Sequence, residues 1–185
     1  MSRIVVMGAE GPLGRAVAAR YADLGHDVMP LRITTAADIE AAVAALGNLP
    51  IDLLVCADDF HALPTPAEAV ARHELQQGLM RLAFLPFRVA ALLRPRLVAA
   101  GGKLVLLTRA DAVMTAPDPS GRYLERPFRA AAHQLWRSLA AKWPKDGVAC
   151  VLIAIDTPHA AELPAAIAGA KNGTLVDAAG QELGW

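Results

Sequence analysis

Short apolar runs alternate along the chain with longer segments in which apolar residues recur every three or four positions. The runs are rich in β-branched residues and lack the period-two alternation of a half-exposed strand, so they are typical of a parallel sheet covered on both faces. Six strands are predicted in this way, at residues 3–7, 26–31, 51–56, 103–108, 148–155 and 174–176.

Helical periodicity fills the segments between these strands. The predicted helices span residues 13–24, 36–46, 64–99, 122–143 and 160–168. Gly25 is expected to stop the first helix, and Gly78 and Pro86 are expected to interrupt or kink the third. Residues 109–122 are rich in Pro, Asp and Gly and predict an irregular loop, which in α/β proteins often carries the functional site. The alternation predicts an α/β fold with a doubly wound parallel sheet, in a single domain over residues 1–185.

The composition fits a globular chain, with 55% apolar residues among 185 and only two cysteines. Cys56 and Cys150 lie inside apolar runs, which favours buried thiols in a reducing compartment. No segment reaches the roughly 20 apolar residues of a membrane helix, and the N-terminus enters a strand without a signal-peptide pattern. We therefore expect a soluble, cytoplasmic protein.

Charge is balanced overall, with 18 basic and 18 acidic side chains, but it is unevenly distributed. Residues 72–137 hold 11 basic and 4 acidic groups, a net +7, and ten of the basic groups are arginines. Arginine favours fixed, planar contacts with anions, although solvated helix faces account for the same excess. Nucleic-acid binding gains little support, and the five histidines show no metal-ligand spacing, so no metal site is predicted.

Three glycines form a G-x-x-G-x-x-G pattern directly between the first predicted strand and the first predicted helix: Gly8, Gly11 and Gly14. Such a loop turns sharply, admits a pyrophosphate close to the backbone, and lets the helix N-terminus face the phosphates. The pattern predicts an NAD(P)-binding Rossmann fold, the alternative being a loop that stays empty. Glu10 would repel a pyrophosphate unless its side chain faces solvent. The expected cofactor contacts are Gly8, Gly11, Pro12, Leu13, Gly14, Arg32, Cys56 and Ala57.

Arg32 directly follows the second predicted strand, where dinucleotide sites choose between cofactors. An acidic residue there would bind the ribose 2′-hydroxyl of NAD, whereas an arginine pairs with the 2′-phosphate of NADP. The sequence favours NADP(H) over NAD(H), with an ordinary surface arginine as the alternative.

Nearly the whole chain resembles the short-chain dehydrogenase/reductase family. Beside the glycine loop, the similar segments are residues 50–57, 85–93, 101–108, 129–140 and 172–185. In order, they resemble the strand before the family's Asn-Asn-Ala-Gly turn, its central helix, the strand before its catalytic serine, the helix after its catalytic tyrosine, and the C-terminus of small C-factor-like members.

The resemblance implies a catalytic tyrosine, lysine, serine and asparagine, and none of the four is kept. The corresponding positions are Glu125, Arg129, Arg109 and Leu82. The resemblance then implies a relative that binds NADP(H) without the standard chemistry and acts in binding or sensing. One alternative is an atypical NADP-dependent oxidoreductase that uses Tyr123 and Thr108 together with Arg129, and another is an interaction protein whose glycine loop is empty.

Four arginines lie where the family's substrate would bind: Arg109, Arg122, Arg126 and Arg129. They predict either an anion pocket for a small carboxylate or phosphate, or salt bridges to Glu125, Asp111 and Asp118. A second polar cluster, Asp58 and Asp59 followed by His61, follows the third predicted strand and indicates either a site or a solvated turn.

A homodimer is also expected, because the family pairs its two long helices between subunits. Here those helices span about 68–99 and 122–143. Their apolar faces are expected to be too extensive to remain in water. The side chains in question are Leu79, Leu82, Phe87, Leu135, Trp136 and Leu139.

Overall fold

Six parallel strands form one sheet in the order β2-β1-β3-β4-β5-β6. The computed structural model describes residues 1–33, 35–57, 65–109, 112, 124–155 and 157–184. The strands are β1 (Arg3–Met7), β2 (Asp27–Leu31), β3 (Leu53–Cys56), β4 (Lys103–Thr108), β5 (Ala149–Ala154) and β6 (Leu175–Asp177). Each predicted strand is confirmed, with its ends shifted by at most two residues.

Helices cover both faces of this sheet, which confirms the predicted doubly wound α/β architecture. They are α1 (Pro12–Asp23), α2 (Ile39–Ala45), α3 (Arg72–Leu79), α4 (Leu85–Ala100), α5 (Glu125–Lys142) and α6 (Leu163–Gly169). One core lies between the sheet and α2, α4 and α5, and a second lies between the sheet and α1 and α6. Among the described helices, none is long and apolar enough to cross a membrane.

The side chains of each strand supply both cores in turn, because successive residues of a strand point to opposite faces. In β1, Val5 packs in the core with Leu93 of α4, whereas Val6 packs in the core with Val17 of α1. Central strands are therefore apolar on both sides, which explains why their sequences are continuous apolar runs.

The direction of winding reverses between β1 and β3, which are neighbours in the sheet although β2 lies between them in sequence. Parallel sheets of this kind have a crevice outside the carboxyl ends of the strands at such a reversal point. Gly8 follows β1 at this place and Ala57 follows β3, and the Ala57 amide donates a 2.9 Å hydrogen bond to the Met7 carbonyl.

The long predicted helix over 64–99 is wrong in its start, and of the two predicted interruptions, at Gly78 and Pro86, only the one at Pro86 lies beside an irregular turn. After a 3₁₀ turn at Ala67–Ala69 the helix begins at Arg72, and a π-helical turn at Met80–Phe84 separates α3 from α4. The π turn ends two residues before Pro86, whose missing amide cannot continue a regular helical ladder. Gly78 does not interrupt α3: a Cβ there would collide with the ring of Phe128, so glycine lets α3 pack closely on α5.

The expectation that the long helices leave large apolar faces in water is also wrong for half of the side chains named. Leu82, Trp136 and Leu139 are buried within the chain itself, so their burial requires no second subunit. The large apolar side chains that are exposed along α3, the π turn and α4 are different ones: Leu75, Met80, Phe84 and Val98.

Candidate cofactor cleft

A cleft of about 850 Å³ lies at the carboxyl ends of β1, β3 and β4. It runs from the glycine loop, past the end of β3, to the end of β4 and the inner face of α5. The lining residues are Met7, Gly8, Glu10, Arg32, Ile33, Cys56, Ala57, Gln76, Gln77, Met80, Arg81, Leu82, Leu85, Pro86, Leu106, Leu107, Thr108, Arg129, Ala132 and His133.

The glycine loop forms the turn between β1 and α1 that its position predicts. Gly8 has a φ of 84°, a left-handed conformation that glycine adopts without strain, and the Gly11 amide donates to the Gly8 carbonyl at 3.0 Å. A Cβ on Gly14 would collide with that same Gly8 carbonyl, so the first turn of α1 lies directly against the end of β1. Pro12 occupies the first position of α1, where its missing amide removes no helical hydrogen bond.

The predicted cofactor residues of the loop divide into two groups. Gly8 lines the cleft, whereas Gly11, Pro12, Leu13 and Gly14, at the N-cap and first turn of α1, are not among its lining residues, and Leu13 and Gly14 are buried. Glu10 also lines the cleft, but it is exposed to solvent. The Glu10 backbone carbonyl accepts a 2.7 Å hydrogen bond from Nη1 of Arg15, which ties the loop to α1.

Arg32 lines the opposite end of the cleft from β4, directly after β2. The strand end is joined to the glycine loop, because the Gly8 amide donates to the Leu31 carbonyl at 3.4 Å. The side chain of Arg32 is exposed, so a ligand could meet its guanidinium without first displacing a protein partner from a buried site.

Cys56 and Ala57 form the middle of the cleft floor, at the end of β3. Both are buried, and burial raises the pKa of the Cys56 thiol far above its ordinary value. The thiol therefore stays protonated and acts as an apolar wall rather than as a nucleophile.

A buried hydrogen bond joins Thr108, the last residue of β4, to His133 in the middle of α5. Oγ1 of Thr108 lies 2.8 Å from Nε2 of His133, and each residue is only 2% exposed, yet both line the cleft. Burial, and secondarily the positive charge of Arg129, lower the pKa of His133 to about 4. The imidazole is therefore neutral near pH 7.

An ion pair lies on the same face of α5, one helical turn before His133. Nε of Arg129 donates to Oε1 of Glu125 at 3.0 Å, with both side chains about 5% exposed or less, and Nε of Arg109 lies 4.0 Å from the same oxygen. Of the two interpretations of the arginine cluster, the structure thus brings Arg109 and Arg129 to Glu125 as a salt bridge. Arg126 lies in the first turn of α5 and is partly exposed.

Of the other predicted site residues, one lies in the cleft and several lie in parts of the chain that the structure does not describe. Leu82 lies on the π turn, is buried, and lines the cleft. Tyr123, Arg122, Asp111, Asp118, Asp58, Asp59 and His61 lie outside the described residues. Within the described ranges, no group of three His, Cys, Asp or Glu side chains is placed to hold a metal ion.

Sequence reasoning missed His133 as a site residue, although a signal was present. Glu125, Arg129 and His133 are spaced four residues apart, which places three polar side chains on one stripe of α5. All three are buried. A polar stripe on a helix that must cover a sheet is unusual enough to indicate a site.

Solved structures with the same fold include several reductases. Carbonyl reductase Sniffer of D. melanogaster is 16% identical with a TM-score of 0.88, each chain covered over 100%. A carbonyl reductase from Pseudomonas aeruginosa PAO1, in complex with NADP, is 19% identical with a TM-score of 0.86 and the same coverage. The NADPH-bound carbonyl reductase from chicken fatty liver is 12% identical with a TM-score of 0.89, covering 100% of this chain and 99% of that one.

At these identities the likeness establishes the fold, which is the one that carbonyl reductases and short-chain dehydrogenases/reductases share. No family model matches the sequence, and no curated protein matches it either. The expected Rossmann-type fold is confirmed.

Proposed function

We propose that this protein is a short-chain dehydrogenase/reductase relative that binds NADP(H) in the cleft and acts in binding or sensing rather than as a reductase. One observation carries the proposal: a single cleft joins the glycine loop and Arg32 at one end to Thr108 and Arg129 at the other. Its volume of about 850 Å³ lies within the roughly 300–1,000 Å³ of typical ligand sites. Two of the reductases with this fold were solved with NADP or NADPH bound, which supports the same ligand class here.

The residues of the cleft fit the parts of such a cofactor. The part of the glycine loop that lines the cleft, at Gly8, would lie against the pyrophosphate. The close packing at Gly14 brings the N-terminus of α1 to the end of β1, where its partial positive charge would act on the phosphates. Arg32 would pair with the 2′-phosphate. Dinucleotides lie across the crevice at the reversal point, so the nicotinamide half would extend toward Thr108 and Arg129. When bound, NADPH supplies a hydride.

The side chains at the family's catalytic positions support a role without the standard reduction. Glu125 takes the place of the tyrosine and is held in ion pairs by Arg129 and Arg109, so this position offers no phenol hydroxyl to a carbonyl substrate. Leu82 replaces the asparagine with an apolar side chain. Arg129, in place of the lysine, stays charged and is already paired with Glu125.

The first test is a calorimetric titration with NADPH and NADH. We expect NADPH to bind with a micromolar Kd, and Arg32→Ala to weaken it about 10- to 100-fold, because a charge-assisted hydrogen bond contributes about 1.5–3 kcal/mol. NADH affinity should change little. Arg88→Ala is the matched control, since Arg88 lies on α4 in a surface pair with Glu40.

Two results would contradict this proposal. Equal affinity for NADPH and NADH, unchanged by Arg32→Ala, would remove the NADP preference. No heat and no thermal shift with either nucleotide at millimolar concentration would favour the alternative in which the glycine loop is empty and the protein acts through partners.

A second candidate function is the atypical oxidoreductase, and the position of Thr108 in the cleft favours it. The Thr108 hydroxyl is bonded to His133, so a proton donor would still have to come from Tyr123. Turnover of NADPH with aldehydes and ketones, followed at 340 nm and abolished by Tyr123→Phe, would establish this function. Its absence in a protein that binds NADPH supports the binding or sensing role.

We also propose a homodimer, formed through the long helical stretch of α3, the π turn and α4. Leu75, Met80 and Phe84 lie within ten residues and are between 41% and 43% exposed, and pairing would remove them from water. Light scattering should give twice the 19.5 kDa chain mass, and Phe84→Arg should shift the population toward monomer. Leu49→Arg, at a 57% exposed position elsewhere, should leave the mass unchanged. A monomeric wild type at micromolar concentration would refute the dimer.

A further inference from the structure

The Thr108 and His133 pair has no role in holding the phosphates of a dinucleotide, yet it is buried and lines the cleft at the end of β4. A buried polar pair costs desolvation and contributes only modestly to stability through one hydrogen bond. Because the pair faces a cavity rather than the core, we expect a ligand in that cavity to form a hydrogen bond with it.

Hydrogen-bond donors predominate at this end of the cleft. When Nε2–H of His133 donates to Oγ1 of Thr108, the hydroxyl proton of Thr108 is directed away from the imidazole and can be donated to a ligand in the cleft. Arg129 and Arg81 also line the cleft, as do Gln76 and Gln77, whose amide groups can donate hydrogen bonds. The Glu125 carboxylate on the same face of α5 is paired with Arg129 and Arg109.

Positive charge reaches this end of the cleft despite the ion pair. Arg129 lowers the pKa of His133, so its charge acts on the imidazole although Glu125 binds its Nε. Among the residues that the structure describes, the charged side chains lining the cleft are Arg32, Arg81, Arg129 and Glu10. Glu10 belongs to the glycine loop at another part of the cleft, and the potential near His133 therefore favours an anion.

The remaining walls that the described residues form here are apolar. Leu82, Leu85 and Pro86 come from the π turn and α4, and Leu106 and Ala132 come from β4 and α5. A ligand that fits the apolar walls as well as the donors near Thr108 and Arg129 has an apolar body and an oxygen acceptor that carries negative charge.

We propose that Thr108, His133 and Arg129 bind the carboxylate of a small apolar organic acid beside the nicotinamide half of the cofactor. This inference rests on the proposed function, because the cofactor occupies the rest of the cleft. The Thr108 hydroxyl donates to the carboxylate, His133 orients that hydroxyl, and the charge of Arg129 distinguishes a carboxylate from a neutral amide of the same shape.

Calorimetry of the NADPH-saturated protein with benzoate, benzamide and benzyl alcohol tests the inference. Benzoate should bind with a millimolar Kd, at least tenfold tighter than benzamide or benzyl alcohol. Thr108→Val should weaken benzoate at least tenfold, and Thr108→Ser, which keeps a hydroxyl, should retain most of the affinity. Ser138→Ala is the matched control, because Ser138 lies on α5 but is exposed and bonds only its own helix.

An NMR titration of the wild-type protein tests the inference without any variant, so its result does not depend on whether a variant folds. Benzoate should raise the pKa of the His133 imidazole, because a nearby anion favours its protonated form. Equal affinities for benzoate and benzamide, or benzoate binding that ignores Thr108→Val and leaves His133 unmoved, would overturn the inference. Those results leave NADPH binding intact, whereas loss of the proposed function itself would be seen as no NADPH binding before any benzoate is added.

Discussion

Replacing Glu125 with glutamine is expected to destabilise the protein by about 3 to 5 kcal/mol, the usual cost of removing one partner from a buried ion pair. The carboxylate and the guanidinium of Arg129 are each 5% exposed or less, and their polar atoms are 3.0 Å apart. Glutamine keeps the shape and an oxygen acceptor, but it removes the negative charge that lies 3.0 Å from Nε of the buried Arg129.

Urea denaturation of the variant measures this loss directly. The control is Glu40→Gln, which breaks the exposed pair with Arg88 and should cost about 1 kcal/mol or less. A double variant, Glu125→Leu with Arg129→Met, should recover most of the stability, because apolar residues of similar volume often replace a buried pair without loss. A cost for Glu125→Gln no larger than that for Glu40→Gln would show that the pair is not buried in solution.

The strand pattern and the turn chemistry were sufficient to predict the fold. Strands such as β3 are apolar throughout because both faces of a parallel sheet are covered, and only that arrangement explains runs without alternation. The glycine loop could also be predicted from the sequence, since Gly8 needs its positive φ and Gly14 has no room for a Cβ. These features depend on local backbone geometry, which can be predicted from the residue types at neighbouring positions.

Contacts between distant side chains could not be read in the same way. Thr108 and His133 are 25 residues apart, and their hydrogen bond depends on how α5 lies across the end of β4. The same is true of Trp136, whose apolar bulk indicated a subunit interface but is covered by the chain itself. Periodicity identifies the apolar face of a helix, but it does not say which partner covers that face.

The stripe of Glu125, Arg129 and His133 is partly a local sequence pattern and partly a result of tertiary packing. Its four-residue spacing is a property of the sequence, whereas its burial and its contact with Thr108 are properties of the packing. Glu125 and Arg129 bring two charges into the interior, where they are held together as an ion pair. Among the described residues, this arrangement supports the proposal that the cleft holds a ligand by hydrogen-bond donors and positive charge.

Acidification is expected to destabilise the wild-type protein between about pH 6.5 and pH 4 because of His133. Its pKa is lowered from 6.5 to about 4 by burial and by Arg129, so over this range the unfolded chain binds a proton that the folded protein does not. Stability is therefore fully present above pH 6.5 and falls as the pH drops, by a total of about 3 kcal/mol, until the folded imidazole is also protonated near pH 4.

Urea unfolding at pH 7.5, 6.5, 5.5 and 4.5 gives the change in the free energy of unfolding with pH. Comparing this slope between wild type and a variant without His133 separates the histidine's effect from the titration of the carboxylates. His133→Gln should flatten the decline by up to about 1.4 kcal/mol per pH unit, the value for one proton. His159→Gln, which removes an exposed histidine, should follow the wild type. If His133→Gln and wild type lose stability in parallel, the imidazole is not held neutral by the fold. The Thr108 hydroxyl would then face a charged partner, which would change the kind of ligand this end of the cleft could bind.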